Sequence, residues 1–322
     1  MHTLIKGRSK WLDIALLSAA VCFANAPVRA QGYPAKPVRI VVPFAAGGGS
    51  ETIARAIGMK LSETLGQPFV IDLRPGAASL IGTLIVQRAP ADGHTLLLAD
   101  SGFTIASISQ ARPPFDPLED FTPVALIATT PRVLMAHPSF APGMKELLAL
   151  PRIQSERIAL GTSGGTPQMT YQLLRVRTGL VLTEISYKGG GPALTDAIAG
   201  QVPLVFTSLA AGNPYLRTGR LKGLAITTKA RHPAAPEVPT FTEAGVPDFV
   251  MVNWYGLLAP TRTPAGAIEV LAREVDRALQ APEARERLAS LGFDVAASSR
   301  ESLATMLKAE LDHWRSVARS TR

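Results

Sequence analysis

The sequence F-A-A-G-G-G-S-E, residues 44–51, lies between a predicted buried strand at 38–42 and a predicted helix at 50–65. Its three consecutive glycines let the backbone approach a ligand closely. The free N–H groups at the start of the helix, together with the positive end of its dipole, favour a carboxylate or a phosphate. The stretch therefore predicts an α/β fold with an anion-binding loop between its first strand and its first helix.

Similar glycine loops follow predicted strands at 161–166 and 189–191. Short apolar runs alternate with helical patterns along the chain, which is typical of parallel α/β architecture. The strands are predicted at 38–42, 69–72, 95–99, 124–128, 133–136, 157–160, 182–186, 202–206, 221–227 and 254–259. The helices are predicted at 50–65, 78–89, 143–150, 167–178, 192–199, 208–218, 265–280, 283–291 and 300–319.

The first thirty residues have the pattern of a secretory signal peptide. Lys6, Arg8 and Lys10 precede an apolar run at 14–24, which is too short to span a bilayer. Val28-Arg29-Ala30 fits a cleavage site, so we expect a mature chain that begins at Gln31 and a periplasmic location. The alternative is an uncleaved anchor helix.

Composition excludes several classes of function for residues 31–322. The single cysteine, Cys22, lies in the predicted signal peptide, so the mature chain has no disulfide and no thiolate site. A chain of this size predicts two domains. The whole chain carries a formal charge of +8, but its basic residues are scattered and its aromatic residues few. This pattern argues against nucleic-acid binding.

One motif is also compatible with an enzymatic function. Gly161-Thr162-Ser163-Gly164-Gly165 matches the G-x-S-x-G nucleophile elbow, and Asp196 follows it, with His232 or His313 further on. A hydrolase elbow needs a helix directly behind its serine, whereas Thr166-Pro167 predicts a later helix start. A secreted serine hydrolase using Ser163 is the alternative to an anion loop capped by Thr166.

No cofactor or metal site is predicted. The four histidines outside the signal peptide lack the spacing of metal ligands, and no Walker A or G-x-G-x-x-G pattern occurs. Two basic residues each allow two interpretations. Arg74 could bind a ligand carboxylate or tie loops together, and Lys188 could bind an anion or lie at the rim of the cleft. Trp254 and Tyr255 fit core or hinge packing.

A series of motifs runs through the chain in a fixed order. It consists of Y-P-A-K-P-V-R-I-V-V-P-F-A-A-G-G-G-S-E (33–51), R-P-G-A (74–77), A-D-G-H-T-L-L-L (91–98), F-D-P-L-E-D-F-T-P-V (115–124), Y-K-G-G-G-P-A-L-T-D (187–196), G-Q-V (200–202), V-P-T-F-T-E-A-G-V-P (238–247) and W-Y-G-L-L-A-P (254–260). In these motifs the chain resembles the Bug family of periplasmic solute receptors, the binding components of tripartite tricarboxylate transporters.

The resemblance implies a two-lobed, type II-like α/β periplasmic binding protein whose hinge is two crossing strands. Lobe 1 would comprise residues 31–130 and 252–322, and lobe 2 residues 131–251. The ligand would be a small carboxylate held by backbone N–H groups, hydroxyls and waters. The implied partners are the membrane subunits of a tripartite tricarboxylate transporter, or a sensor protein.

The expected ligand-binding residues come from both lobes. Lobe 1 would supply Phe44, Gly48, Gly49 and Ser50, with Ser79 and Ser101 nearby, and lobe 2 would supply Thr162, Ser163, Thr166 and Thr207. The chain departs from the family pattern at Ser50-Glu51, at Gln168, and at Phe206-Thr207-Ser208, where many relatives have Phe-Asp-Asn. Loss of that acid weighs against an amino-acid ligand.

Overall fold

The structure is a computed structural model that describes residues 32–108, 113–163, 165–295 and 299–320. The predicted signal peptide lies outside these ranges. The strands are β1 (Val38–Val42), β2 (Phe69–Leu73), β3 (Thr95–Asp100), β4 (Phe121–Ala136), β5 (Ala159–Thr162), β6 (Thr183–Ser186), β7 (Leu204–Ser208), β8 (Lys222–Ile226), β9 (Val252–Pro260) and β10 (Asp294–Val295).

The helices surround these strands, and a short 3₁₀ turn (Ala77–Ser79) precedes the second of them. They are α1 (Gly49–Leu65), α2 (Leu80–Gln87), α3 (Ser101–Ile108), α4 (Met144–Leu148), α5 (Arg152–Ser155), α6 (Gly165–Thr178), α7 (Gly190–Ile198), α8 (Leu209–Arg217), α9 (Ala265–Gln280), α10 (Pro282–Leu291) and α11 (Arg300–Ser320). In the part of the chain that the structure describes, no helix is long and apolar enough to cross a bilayer.

The strands form two sheet regions that share β4. In the first region the order is β2-β1-β3-β9-β4, with β10 also paired to β4. In the second region β4 continues into the order β4-β7-β5-β6, with β8 also paired to β4. The pairs β1–β2, β1–β3, β5–β6 and β5–β7 are parallel, as the alternation of strands and helices predicts.

Strands β4 and β9 pass between the two regions as an antiparallel pair. Their register runs from Phe121 opposite Pro260 to Pro131 opposite Val252. Beyond Pro131, β4 pairs instead with β7 and β8. The prediction of two crossing strands is therefore confirmed.

The prediction of separate strands at 124–128 and 133–136 is wrong, because β4 is continuous for 16 residues. The polar stretch between them resembles a turn, but its side chains bond to other elements. Thr130 donates from Oγ1 to the Gly292 carbonyl oxygen (2.7 Å), and Arg132 donates from Nη2 to Asn253 Oδ1 (2.6 Å). Partners distant in sequence thus keep polar residues in a strand that is largely buried.

Helix α3 was not predicted from the sequence. Seven of its eight residues are buried, so it has no polar face and therefore no apolar periodicity. Helix α9 is the opposite case, because Ile268, Leu271, Val275 and Leu279 recur on one buried face. Each fully buried side chain of this kind contributes about 1.5–3 kcal/mol to folding.

The hydrophobic core follows the two sheet regions. Two clusters of buried residues are drawn from 38–128 and 254–307, with Ala210 as the exception. Two further clusters are drawn from 133–251 alone. Each sheet region therefore has its own core, because each sheet buries its apolar faces against the helices packed on it.

Candidate ligand-binding cleft

A small polar cavity lies between the two sheet regions, where β1, β3, β5 and β7 end. It is lined by Phe44, Gly48, Gly49, Ser50, Asp100, Arg132, Ser163, Thr166, Pro167, Gly190, Thr207, Ser208 and Tyr255. Seven of the ten predicted site residues are among them: Phe44, Gly48, Gly49, Ser50, Ser163, Thr166 and Thr207. The structure thus brings the glycine loops of both regions to one place.

Five of the described helices begin at or directly beside this cavity. Helices α1, α6 and α7 start at Gly49, Gly165 and Gly190, whereas α3 and α8 start directly after the lining residues Asp100 and Ser208. The first N–H groups of a helix lack carbonyl partners within that helix and carry partial positive charge. Five such ends around one cavity create a positive potential that favours an anion.

The two sheet regions touch at the rim of the cavity. The Ala45 amide in the first region donates to the Lys188 carbonyl oxygen in the second (3.2 Å). A Cβ added at Gly189 would lie 2.9 Å from the Ala45 nitrogen, so these backbones meet without side chains between them. The cavity has a volume of about 30 Å³, which is room for roughly two water molecules. The cleft is therefore closed in this structure.

The floor of the cavity carries two opposite charges. Asp100 ends β3 opposite Tyr255 of β9, and Arg132 lies in β4 opposite Ser208 of β7. Asp100 is 8% exposed and Arg132 is 4% exposed. Nη2 of Arg132 donates to Asn253, whereas its Nε is buried without a hydrogen-bond partner. The Nε N–H group of Arg132 is thus a buried donor that has no hydrogen-bond partner among the described residues.

Burial changes the ionisation of these groups. It raises the pKa of Asp100 from 3.8 to about 6, although the Arg132 charge and a hydrogen bond from the Gly102 amide (2.8 Å) oppose this rise. Burial also raises the pKa of Tyr255 to about 12, so its hydroxyl is protonated at neutral pH. Burial lowers the pKa of Arg132, whereas the nearby Tyr255 and Asp100 oppose this decrease. Asp100 is thus the carboxyl of the floor that titrates near neutral pH.

Three predicted site residues lie outside the lining. Thr162 donates from Oγ1 to Glu184 Oε1 (2.7 Å), and Ser101 Oγ accepts from the Trp254 amide (3.3 Å). Ser79 is buried in the 3₁₀ turn, with a left-handed φ of 81° and no partner for its Oγ. Their contact with a ligand stays a prediction, and in the closed cleft none of the three reaches the cavity.

Sequence reasoning missed six lining residues: Asp100, Arg132, Pro167, Gly190, Ser208 and Tyr255. Two of them could have been recognised from their sequence context. Asp100 follows the apolar run 96–99 at the end of a predicted strand, and Arg132 is the one charged residue between positions 121 and 136. A charged residue within an apolar strand either pairs with a buried partner or belongs to a functional site. Gly190 lies in the glycine loop predicted at 189–191, but it was not among the predicted ligand-binding residues.

Arg74 and Lys188, for which the sequence allowed either a ligand-binding or a structural role, do not line the cavity. Arg74 forms an ion pair through Nε with Asp72 Oδ1 (2.9 Å), which ties together the loop after β2. Lys188 is exposed, and its carbonyl oxygen rather than its ammonium group makes the rim contact with Ala45. The structural interpretation therefore fits both residues.

Comparison with known proteins places this architecture in a family. Residues 53–321 match the family model described as "Tripartite tricarboxylate transporter family receptor". The chain belongs to this family. BugT from Bordetella pertussis is 34% identical to the receptor over 301 residues, which cover 92% of each chain.

Solved structures show the same fold at similar identity. MatC from Rhodopseudomonas palustris, solved with bound malate, is 33% identical with a TM-score of 0.84, covering 88% of the receptor and 99% of that chain. An R. palustris protein solved with adipate is 32% identical with a TM-score of 0.84, covering 89% and 97%. The predicted α/β periplasmic binding protein fold and the Bug family resemblance are confirmed.

The receptor is a solute-binding protein, and the serine hydrolase alternative is not supported. One argument against the hydrolase was itself wrong, since α6 starts at Gly165 and not behind Thr166-Pro167. Two of the other triad candidates have partners elsewhere. Asp196 accepts from the Tyr187 hydroxyl (2.7 Å), and His232 Nδ1 accepts from the Ala234 amide (3.1 Å). The side chain of His313 lies outside the described part of the structure. Among the described residues, no group of His, Cys, Asp and Glu could hold a metal ion.

Proposed function

We propose that the receptor captures a small carboxylate in the cleft and presents it to the membrane subunits of a tripartite tricarboxylate transporter or to a sensor protein. The observation that carries this proposal is the meeting of five helix N-termini at one cavity lined with glycines and hydroxyls. Such a lining offers many hydrogen-bond donors to an anion.

The number of donors is sufficient for tight binding. A hydrogen bond to a charged group contributes roughly 1.5–3 kcal/mol. Micromolar affinity corresponds to about 8 kcal/mol, and association costs several kcal/mol of lost motion. Three or four such hydrogen bonds, added to the favourable field of the helix ends, meet this requirement.

We propose further that the two sheet regions act as lobes. Residues 31–130 with 252–322 would form lobe 1, and residues 131–251 would form lobe 2. The separate hydrophobic cores support this division, as do the two strands that pass between the regions. A ligand in contact with both lobes binds the closed state better than the open state, and this difference in affinity drives closure.

The receptor is proposed to work in the periplasm after cleavage of the signal peptide near Ala30. The charged start and the apolar run at 14–24 support export. The family match agrees with this location, because these receptors serve transporters outside the cytoplasm.

Calorimetry with malate, adipate and citrate tests the proposal. At least one of these anions is expected to bind the purified receptor with micromolar or tighter affinity. Gly49→Val is expected to abolish binding, because a Cβ at Gly49 would lie 2.6 Å from the Tyr255 hydroxyl and 3.0 Å from Ser208 Oγ.

Gly266→Ala is the matched control, since a Cβ at Gly266 has nothing within 4 Å. This variant is expected to bind as the wild type does. The proposal is overturned if none of the three anions binds, and the site lies elsewhere if folded Gly49→Val retains wild-type affinity.

A further inference from the structure

We propose that the Glu51 carboxylate positions the glycine loop 44–49 for ligand binding by holding the backbone amide of Gly47. Glu51 is not among the residues that line the cavity, so it acts through the loop and not through contact with the ligand. This inference rests on the proposed function, which assigns the cleft to a small carboxylate. It adds a positioning residue outside the cavity.

The two oxygens of the Glu51 carboxylate have separate partners. Oε2 accepts from the Gly47 amide (2.7 Å), and Oε1 accepts from Nε of Arg55 (2.7 Å). Nη2 of Arg55 also lies 2.6 Å from Oε1. The Glu51 side chain is only 14% exposed, although that of Arg55 is 61% exposed. One side chain therefore links the loop to the second turn of α1.

The loop depends on this link because its helix has no other side-chain cap. Gly48 is the N-cap residue of α1 and has no side chain to offer, and Gly47 has a left-handed φ of 82°. In a capping box, a Ser or Thr at the N-cap and a Glu three residues later bond reciprocally to each other's backbone. Here the Glu half is present and reaches one residue further back. It restricts a backbone that consecutive glycines would leave free.

The restrained loop faces both the cavity and the opposite sheet region. A Cβ added at Gly47 would lie 3.1 Å from the Gly191 Cα, and one at Gly48 would lie 3.7 Å from the Gly190 nitrogen. Gly48 and Gly49 line the cavity, where the first N–H groups of α1 lack partners within the helix. Fixing Gly47 thus sets the direction of these donors before an anion arrives, which lowers the cost of ordering the loop on binding.

The charge state of Glu51 suits this role. Partial burial by itself would raise the pKa of Glu51, but the hydrogen bond from the Gly47 amide and the neighbouring Arg55 bring it below the ordinary value of 4.5. The side chain is therefore ionised at neutral pH, and its hydrogen bonds are of the stronger, charge-assisted kind. The Arg55 charge offsets the negative charge that would otherwise repel an anion in the nearby cavity.

Two competing explanations give different expectations. If Glu51 only stabilises α1 through the helix dipole and the i,i+4 pair with Arg55, its removal lowers thermal stability and leaves affinity unchanged. If its charge acts only through the field, removal strengthens the binding of an anion. Positioning of the loop predicts weaker binding that is rescued when an oxygen acceptor is kept.

Calorimetry of Glu51→Ala and Glu51→Gln separates these explanations, with malate, adipate and citrate as the probes. Glu51→Ala is expected to bind the anion that the wild type binds most tightly about tenfold more weakly, as the loss of one charge-assisted hydrogen bond implies. Glu51→Gln keeps an oxygen that can accept from the Gly47 amide. It is expected to bind within about threefold of the wild type.

Hydrogen exchange of the ligand-free receptor reports on the loop directly. Amide exchange in a peptide that covers residues 44–52 is expected to be faster in Glu51→Ala than in the wild type, because the Gly47 amide has lost its acceptor. In Glu51→Gln it is expected to remain close to the wild type. Equal exchange in all three proteins would show that Glu51 does not hold the loop, and would overturn the inference.

Glu63→Ala is the matched control on the same helix. Glu63 is exposed and forms an ion pair with Lys60 (2.8 Å), so this variant also removes an acidic residue and an ion pair from α1. Its affinity and its exchange at 44–52 are expected to equal those of the wild type. If Glu63→Ala weakens binding as much as Glu51→Ala does, general stabilisation of α1 replaces positioning and the inference is overturned.

The inference and the proposed function fail in different ways. If folded Glu51→Ala binds as the wild type does, or if Glu51→Ala and Glu51→Gln weaken binding equally, the inference is overturned and the proposed function stands. If none of the three anions binds the wild type, both are overturned. Should Glu51→Ala not fold, Glu51→Leu, which keeps the bulk without an oxygen, provides the same comparison with Glu51→Gln.

Discussion

Arg132 of β4 and Asn253 of β9 are joined by a hydrogen bond of 2.6 Å across the two strands that connect the sheet regions. Both residues are buried, and Arg132 also lines the cavity. A residue that lines the cavity is thus held by the pair of strands that connects the two sheet regions.

The first prediction concerns Asp100, whose pKa of about 6 in the folded protein is above its ordinary value of 3.8. Because the Asp100 carboxyl holds its proton more tightly in the folded protein than in the unfolded protein, the free energy of unfolding decreases as the pH rises from about 4 through 6. Asp100→Asn, which keeps an acceptor for the Gly102 amide, should raise the free energy of unfolding at pH 7.5 by up to about 3 kcal/mol. The same substitution should change it little at pH 4.

Urea denaturation at the two pH values measures this difference. Asp312→Asn, at an exposed carboxyl on α11, should leave stability unchanged at both. A gain in Asp100→Asn that is equal at pH 4 and pH 7.5 would contradict the assignment of a buried, partly destabilising carboxylate.

The second prediction concerns Gly191, where a Cβ would collide with the backbone of Ala46 across the rim of the cleft. Gly191→Ala should fold normally, because this contact belongs to the closed cleft and not to the core of either region. Its affinity for malate or adipate should fall at least tenfold. Thermal unfolding and calorimetry measure the two effects, with Gly266→Ala as the control. Wild-type affinity in Gly191→Ala would mean that binding does not need this closed rim.

The third prediction concerns closure. A ligand that bridges both lobes should decrease the radius of gyration measured by small-angle scattering. Trp254 lies on β9, and its Nε1 donates to Glu310 at 2.7 Å, so its fluorescence should respond to movement of the hinge. Gly49→Val should show neither change. An unaltered scattering curve with saturating ligand would place the site within a single lobe.

The fourth prediction concerns export. N-terminal sequencing of the protein from a periplasmic fraction should begin at Gln31, as Val28-Arg29-Ala30 indicates. Replacing Ala30 with a bulky residue such as Phe should retain the signal peptide and leave the protein at the membrane. An intact Met1 on the wild-type protein in a membrane fraction would show that the segment is an anchor.

The sequence by itself determined the features that depend on neighbouring residues. The loop 44–51 indicates both a strand before it and a helix after it, and the periodicity of residues 265–280 predicts helix α9 with its observed bounds. These signals are local, because backbone freedom at glycine and the repeat of 3.6 residues per helical turn are set within a few residues. The motif order then predicted the family.

Tertiary structure alone decided the charged floor of the cleft. Asp100 and Arg132 come from β3 and β4, and the strand between them in the sheet, β9, comes from far along the chain. The same long-range pairing makes β4 continuous through Pro131 and buries α3 on all sides. No local sequence pattern predicts these contacts. Burial shifts the pKa of Asp100 and leaves Nε of Arg132 without a partner, and this burial arises only when strands distant in sequence pack together.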